Sequence, residues 1–151
     1  MRSAIILFLL TLSVWASAQE IRIQGSADFS FTNSELEAGD DFSLSAESTE
    51  KINLDIKKLS KDAYWTVQVQ KNDINWDNQV KIYVRRTSNG NGKGNVWGGW
   101  NYIQINNLNS TFITGYEKLN NIDIQYKLEG IDVTLEAGTY YADIVYTLYE
   151  N

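Results

Sequence analysis

The sequence has no cysteine, no histidine and no proline among its 151 residues. Without cysteine the chain cannot form a disulfide, so the folded state must depend on its hydrophobic core. Without histidine it lacks the usual general base, the partner of a Ser–His or Cys–His nucleophile pair, and the commonest zinc ligand. We therefore predict a protein that is not an enzyme and that requires no cofactor and no metal.

Carboxylates are the remaining candidates for catalysis or for binding a hard cation. Paired carboxylates can hydrolyse glycosides, and oxygen ligands suit calcium. Residues 32–41 hold several around Gly39, but their spacing matches no known calcium loop, and a solvated acidic turn is the preferred interpretation. The carboxylates considered for catalysis all fall at solvated strand or loop positions: Glu35, Glu37, Asp40, Asp41, Asp123 and Asp143.

The N-terminal 18 residues have the pattern of a secretory signal peptide. Arg2 provides the positive charge, residues 4–15 are almost entirely apolar, and Ala16-Ser17-Ala18 is a small-residue cleavage site. A membrane anchor is the alternative, but the apolar run is too short to span a bilayer comfortably. We predict cleavage after Ala18 and one β-sandwich domain over residues 19–151, exported to the periplasm, the cell surface or the extracellular space. No second apolar run is long enough for a transmembrane segment.

The chain is acidic, with a formal net charge of −6, which becomes −7 when Arg2 is removed with the signal peptide. A negative protein repels the phosphates of nucleic acids and the head groups of anionic membranes. We therefore expect neither as a partner.

Period-two alternation of apolar and polar residues runs through the domain and predicts strands. A helical interpretation competes only at residues 52–59, and we prefer a strand there. A one-residue shift of the apolar phase at Gly130 predicts a bulge or a turn. We count about seven to nine strands and no secure helix, which indicates an antiparallel β-sandwich. Strands are predicted within residues 20–31, 42–44, 52–57, 64–70, 80–84, 102–105, 112–113, 122–135 and 140–149.

Residues 87–101, hereafter the Gly/Asn segment, contain half of the ten glycines of the chain. The composition predicts a flexible loop. Trp97 and Trp100 lie near its end and Tyr102 follows, and exposed aromatic faces stack on sugars. These three residues are the candidate ligand-binding site. In the alternative interpretation, the loop folds back over one end of the sandwich and buries the two tryptophans.

The final strand begins after the corner Leu135-x-x-Gly138-x-Tyr140, which resembles the tyrosine corner of Greek-key sandwiches. The run Leu-x-Gly-Ile-x-Val-Thr-Leu-x-Ala-Gly-Thr-Tyr-x-Ala-x-Ile-x-Tyr-Thr-Leu, over the last third of the chain, resembles the end of secreted immunoglobulin-like domains of the pilin and spore-coat-U type. Gly138 is the fourteenth residue from the end and Tyr149 the third. Many such subunits carry a disulfide, and this chain has none. The resemblance implies an immunoglobulin-like Greek-key sandwich.

Two functions follow from these observations as predictions. The first is a non-enzymatic surface or structural subunit, adhesive or pilin-like, that pairs with copies of itself or related subunits by strand addition. Residues 21–31 would then be the donated strand, or, in the alternative, an ordinary first strand paired within its own domain. The second function is a carbohydrate-binding domain that uses Trp97, Trp100 and Tyr102, with a glycan as the partner.

Overall fold

The alternating side chains of this sequence form strands throughout the part that the computed structural model describes, which is residues 19–29, 44–132, 134–136 and 138–151. The predicted signal peptide and the acidic residues Glu35, Glu37, Asp40 and Asp41 lie outside these residues. The strands are β1 (Glu20–Gln24), β2 (Leu44–Glu47), β3 (Ile52–Lys57), β4 (Tyr64–Asn75), β5 (Lys81–Arg86), β6 (Asn91–Gly92), β7 (Asn95–Trp97), β8 (Ile103–Ile105), β9 (Ser110–Tyr116), β10 (Leu119–Ile131) and β11 (Tyr141–Glu150).

The strands form two antiparallel sheets. Sheet A has the order β1-β3-β10-β5-β8, with β2 and β6 also paired to β10. Sheet B has the order β11-β4-β9-β7. The long strand β10 lies at the centre of sheet A, where β2 and β3 pair along one side and β5 and β6 along the other. The predicted all-β, antiparallel two-sheet architecture is confirmed.

The inward-facing side chains of both sheets form one core, because alternate residues of each strand point to the same face. Trp65 on β4 is fully buried, and its indole Nε1 donates a hydrogen bond of 2.7 Å to the Glu117 carbonyl. The other large, fully buried side chains are those of Ile52, Leu54, Ile56, Ile105, Ile113, Leu119, Ile122, Val67, Val69 and Val84. Burial of side chains of this size contributes about 1.5–3 kcal/mol each to folding.

The immunoglobulin-like strand order is not confirmed. That order joins several consecutive strands as neighbours within one sheet. Here, apart from the two-residue β6, each strand from β4 to β11 lies in the opposite sheet from the strand before it. The described residues also contain eleven strands instead of seven to nine, since short strands such as β6 and β7 are too brief to show as alternation in the sequence.

Two local predictions are confirmed. Residues Ile52–Lys57 form a strand instead of a helix. At Gly130, the register of β10 against β2 shifts between Leu128 and Ile131, and Gly130 has a φ of 86° that other residues rarely adopt. The bulge returns the apolar side chain of Ile131 to the core face.

Residues near the two chain ends also have defined partners. The first strand, β1, pairs with β3 of the same chain, with Ile21 opposite Ile56 and Ile23 opposite Leu54. Residues 30 and 31 of the predicted donor segment lie outside the described part. At the corner, the hydroxyl of half-buried Tyr140 donates a hydrogen bond of 2.6 Å to the Glu136 carbonyl. Gly138 is exposed and Leu135 packs partly against the core.

A buried carboxylate, Asp55, connects three elements of sheet A. It is 3% exposed, pairs with Lys57 Nζ at 2.8 Å, and accepts hydrogen bonds from Gln24 Nε2 and from the Asn121 backbone N–H. Burial alone would raise the pKa of Asp55, but the bonds from Lys57 and Asn121 outweigh burial and lower the pKa below its ordinary value. Asp55 therefore stabilises the fold in its ionised form.

Asp55→Asn is expected to lower the free energy of unfolding at pH 7 by about 1–3 kcal/mol, because the ion pair with Lys57 is lost and one of the two accepting oxygens becomes an NH₂ donor. A lowered folded-state pKa means that this contribution is complete above the unfolded-state pKa of about 3.9 and disappears as pH falls through the folded-state pKa. Urea unfolding of both proteins should thus show their stabilities converging in acid. Asp123→Asn is the control, since its carboxylate makes no hydrogen bond within the described residues. Equal losses in both variants would contradict this role.

Candidate functional site

The Gly/Asn segment contains two short paired strands, where its composition predicts a loop. Its β6 pairs with β10, with Gly92 opposite Leu119, and its β7 pairs with β9. The glycines permit this close packing: a Cβ on Gly94 would overlap the Tyr116 carbonyl oxygen. A Cβ on Gly90 would lie 2.7 Å from the Asn120 carbonyl oxygen. These glycines allow the backbone to approach the sandwich, and they do not act as a flexible linker.

Arg86, the last residue of β5, holds the Gly/Asn segment in place. Ile82, Val84 and Arg86 share one parity on β5, so the Arg86 side chain enters the sandwich instead of facing solvent. Its guanidinium donates hydrogen bonds to the carbonyls of Ser88 (3.2 Å), Val96 (3.4 Å) and Gly98, and to Asn89 Oδ1 (2.6 Å). Its backbone N–H also donates to the Gly99 carbonyl, at 2.6 Å.

The Arg86 guanidinium is 2% exposed and has no carboxylate within ion-pair distance in the described part of the chain. Burial lowers the pKa of Arg86 below its ordinary value. Carbonyl dipoles and the π face of Trp100, whose ring centroid lies 4.0 Å from Arg86 Cζ, stabilise the charge instead. A buried cation with these partners fixes the positions of the residues that surround it.

Trp97 and Trp100 are presented on the surface at this end of the sandwich. Trp97 on β7 is 48% exposed and Trp100 is 51% exposed. Gly98 and Gly99 between them have φ values of 77° and 72°, a left-handed conformation that turns the chain between the two rings. One face of Trp100 rests on Arg86. The two tryptophans are therefore not the buried lid of the alternative interpretation.

A pocket of about 170 Å³ lies beside Trp97. The Gly/Asn segment forms most of its wall, and Leu119 of β10 closes one side. Its residues are Asn89, Gly90, Gly92, Gly94, Asn95, Val96, Trp97 and Leu119. The wall of the pocket is mostly polar, with only a small apolar share.

The third predicted residue, Tyr102, belongs to a different surface. It lies on the outer face of sheet A, 4.7 Å from Arg85 Cζ and 4.7 Å from Lys127 Nζ as measured to its ring centroid. Its hydroxyl is 2.9 Å from Glu47 Oε1 and 3.1 Å from Gln125 Oε1, and can donate its proton to either.

Successive residues of a strand point to opposite faces. Arg85 therefore contacts Tyr102 on the outer face of sheet A, whereas Arg86 contacts Trp100 on the other side. Burial, and then the Glu47 carboxylate, raise the pKa of Tyr102 to about 12. Tyr102 is thus a neutral hydrogen-bond donor within a network of ion pairs and amides on the outer face.

Sequence reasoning missed Arg86, Asn89 and Asn95 as parts of this site. One available signal was the arginine at an inward position of β5, directly after the apolar residues Ile82 and Val84. A buried arginine requires acceptors, and the following Gly/Asn segment is the nearest source of free carbonyls.

The described residues contain no group of three or more histidine, cysteine, aspartate or glutamate side chains arranged to hold a metal ion. Within the same residues, no helix is long and apolar enough to cross a membrane.

Comparison with protein-family models, with curated proteins and with solved structures finds no match to this chain. The resemblance of residues 128–148 to pilin and spore-coat-U domains therefore stays a prediction.

Proposed function

We propose that this chain is an exported glycan-binding protein whose site lies at the Trp97 end of the sandwich. The observation that carries the proposal is the half-exposure of Trp97 and Trp100 on a segment whose carbonyls accept hydrogen bonds from Arg86. Two large aromatic side chains exposed three residues apart on one turn form a surface that can bind an apolar ligand face. The apolar face of a sugar ring is such a ligand, because an indole stacks on C–H groups while nearby amides bond to hydroxyls.

The strand connectivity is compatible with this proposal. From β3 to β11, apart from β6, successive strands alternate between the sheets, and the order β3-β10-β5-β8 resembles that of jelly rolls, an architecture that lectin domains use. Fold alone does not establish function, so the proposal depends on the aromatic residues and not on the connectivity.

A surface or structural subunit, adhesive or pilin-like, is the second candidate. It is favoured by β11, which forms an edge of sheet B and pairs only with β4 among the described strands. An edge of ten residues can accept a strand from another molecule. The pairing of β1 with β3 within the chain weighs against β1 as the donor of that strand. Concentration-dependent polymerisation of residues 19–151 in sedimentation velocity would favour this candidate.

Purified residues 19–151 are expected to bind a subset of glycans on an array, and Trp97→Ala is expected to lower the affinity at least about tenfold through loss of the stacking face. Stability should change little, since Trp97 is half exposed. The matched control is Tyr141→Ala, because Tyr141 is 52% exposed on β11, away from this site. Equal binding by the Trp97 variant and the parent protein, or no saturable binding to any glycan, would contradict the proposal.

A further inference from the structure

The pocket beside Trp97 has the dimensions and the chemistry of a site for a single sugar ring. At about 170 Å³ it is smaller than the roughly 300–1,000 Å³ of pockets that enclose drug-sized ligands. Its glycines leave no room behind them, because a Cβ on Gly90 or Gly92 would lie 2.7 Å from the Asn120 or Lys118 carbonyl oxygen. A pocket of this size has room for one ring of a longer chain.

Arg86 determines how Asn89 is presented at this pocket. Arg86 Nη1 can only donate, so the atom of Asn89 that it contacts at 2.6 Å must be the accepting oxygen, Oδ1. The amide Nδ2 of Asn89 is thereby left as a donor of hydrogen bonds. Asn95 adds a second amide to the wall, and no side-chain hydrogen bond fixes it within the described residues. Amides are suited to the hydroxyl groups of a sugar, which both donate and accept.

The lining of the pocket is uncharged. Asparagine, glycine, valine, leucine and tryptophan form it, and the buried Arg86 behind it already donates to carbonyls. An anionic sugar would lose its hydration there without a direct ion pair, because no lining residue is charged, and this costs more than desolvation of a neutral ring. The lining therefore favours a neutral sugar over a uronic acid.

Trp97 and Trp100 have different parts in this arrangement. Trp97 lines the pocket, whereas Trp100 does not, and one face of Trp100 is occupied by the Arg86 guanidinium. Trp97 is thus the tryptophan available for stacking beside the pocket, and Trp100 is a positioning residue that covers the buried cation.

We propose that the pocket formed by Asn89, Asn95 and Trp97 binds the single, neutral, terminal sugar residue of a glycan, end-on. This inference rests on the proposed glycan binding and specifies its mode. In the alternative mode, a glycan chain lies across both tryptophans, and affinity should then rise with chain length.

Isothermal titration of residues 19–151 tests this mode. The ligands are methyl glycosides of neutral hexoses and of N-acetylglucosamine, the matching uronic acids, and linear oligosaccharides that end in the sugar that binds. We expect affinities for the methyl glycoside and for its longer oligosaccharides to agree within about threefold, because one ring makes the contacts. The uronic acid should bind at least about tenfold more weakly.

Asn89→Asp is the sharpest variant, since a carboxylate keeps the oxygen that Arg86 contacts and adds a counter-charge, so the fold should be retained. It removes the Nδ2 donor and should lower affinity at least about tenfold. Asn91→Asp adds the same charge in the same segment outside the pocket lining, and should change affinity by less than about twofold.

The end-on pocket would be overturned if affinity rose steadily with chain length and Asn89→Asp bound as well as the parent protein. Glycan binding itself would still stand. Absence of binding to every glycan would instead overturn the proposed function on which this inference rests.

Discussion

Replacement of Arg86 by methionine is expected to lower the free energy of unfolding by about 3–5 kcal/mol and to abolish glycan binding. Methionine has a similar length and fills part of the space, so the main loss is of hydrogen bonds. The carbonyls of Ser88, Val96 and Gly98 would remain in a partly buried environment without their donor. An unsatisfied buried polar group typically costs about 1–3 kcal/mol.

Arg85→Met is the matched control, because Arg85 is the preceding residue of the same strand and points to the opposite face. Its side chain is 35% exposed and bonds to Gln125, and its replacement should cost less than about 1 kcal/mol. Urea unfolding of the parent protein and both variants measures the difference. Similar losses for Arg85→Met and Arg86→Met would show that Arg86 is not the residue that organises the Gly/Asn segment.

Gly115→Ala is expected to destabilise the protein by about 3 kcal/mol or more, at the upper end of the range for overpacked cores. Gly115 lies on β9 between the Trp65 indole and the backbone of β7. A Cβ there would overlap the Trp65 ring and would lie 2.5 Å from the Asn95 carbonyl oxygen. The largest core side chain and a strand of the site would both have to move, so binding should weaken together with stability.

Gly138→Ala serves as the comparison for Gly115→Ala. A Cβ on Gly138 would lie 3.8 Å from the nearest atoms, those of the Tyr140 ring, which is an ordinary van der Waals contact. This variant should change the free energy of unfolding by less than about 0.5 kcal/mol. Thermal unfolding followed by circular dichroism gives both values. A neutral Gly115→Ala variant would mean that β7 and Trp65 do not pack against β9 as described.

Much of the fold follows from alternation in the sequence, because a strand with one buried face must place apolar residues at every second position. The strands β3, β4, β5, β10 and β11 have such alternation, and the sequence predicts each of them. The order of the strands could not be predicted in this way. Pairings such as β1 with β3 and β11 with β4 depend on how the sheets pack, and local pattern contains little information about that.

The candidate site, too, could be predicted only in part from the local sequence. Trp97 and Trp100 stand out in the sequence because they are aromatic residues within a glycine-rich stretch. The glycines of the Gly/Asn segment predict flexibility, but in the structure they let its backbone pack closely against the backbone near β9 and β10. This role depends on contacts between segments that are distant in sequence, so the local sequence does not show it. Tyr102 is adjacent to the tryptophans in sequence, yet it lies on the outer face of sheet A with Arg85 and Lys127.

The most direct test of the account is a titration of residues 19–151, labelled with ¹⁵N, with the glycan that binds best on the array, followed through the indole N–H signals. Residues 19–151 contain four tryptophans. Trp65 and Trp76 are internal references, since their indoles donate to the Glu117 and Val80 carbonyls. We predict a saturable shift of the Trp97 signal, a smaller shift for Trp100, and no shift for Trp65 or Trp76. A Trp97 signal that stays unchanged at saturating glycan would contradict the account.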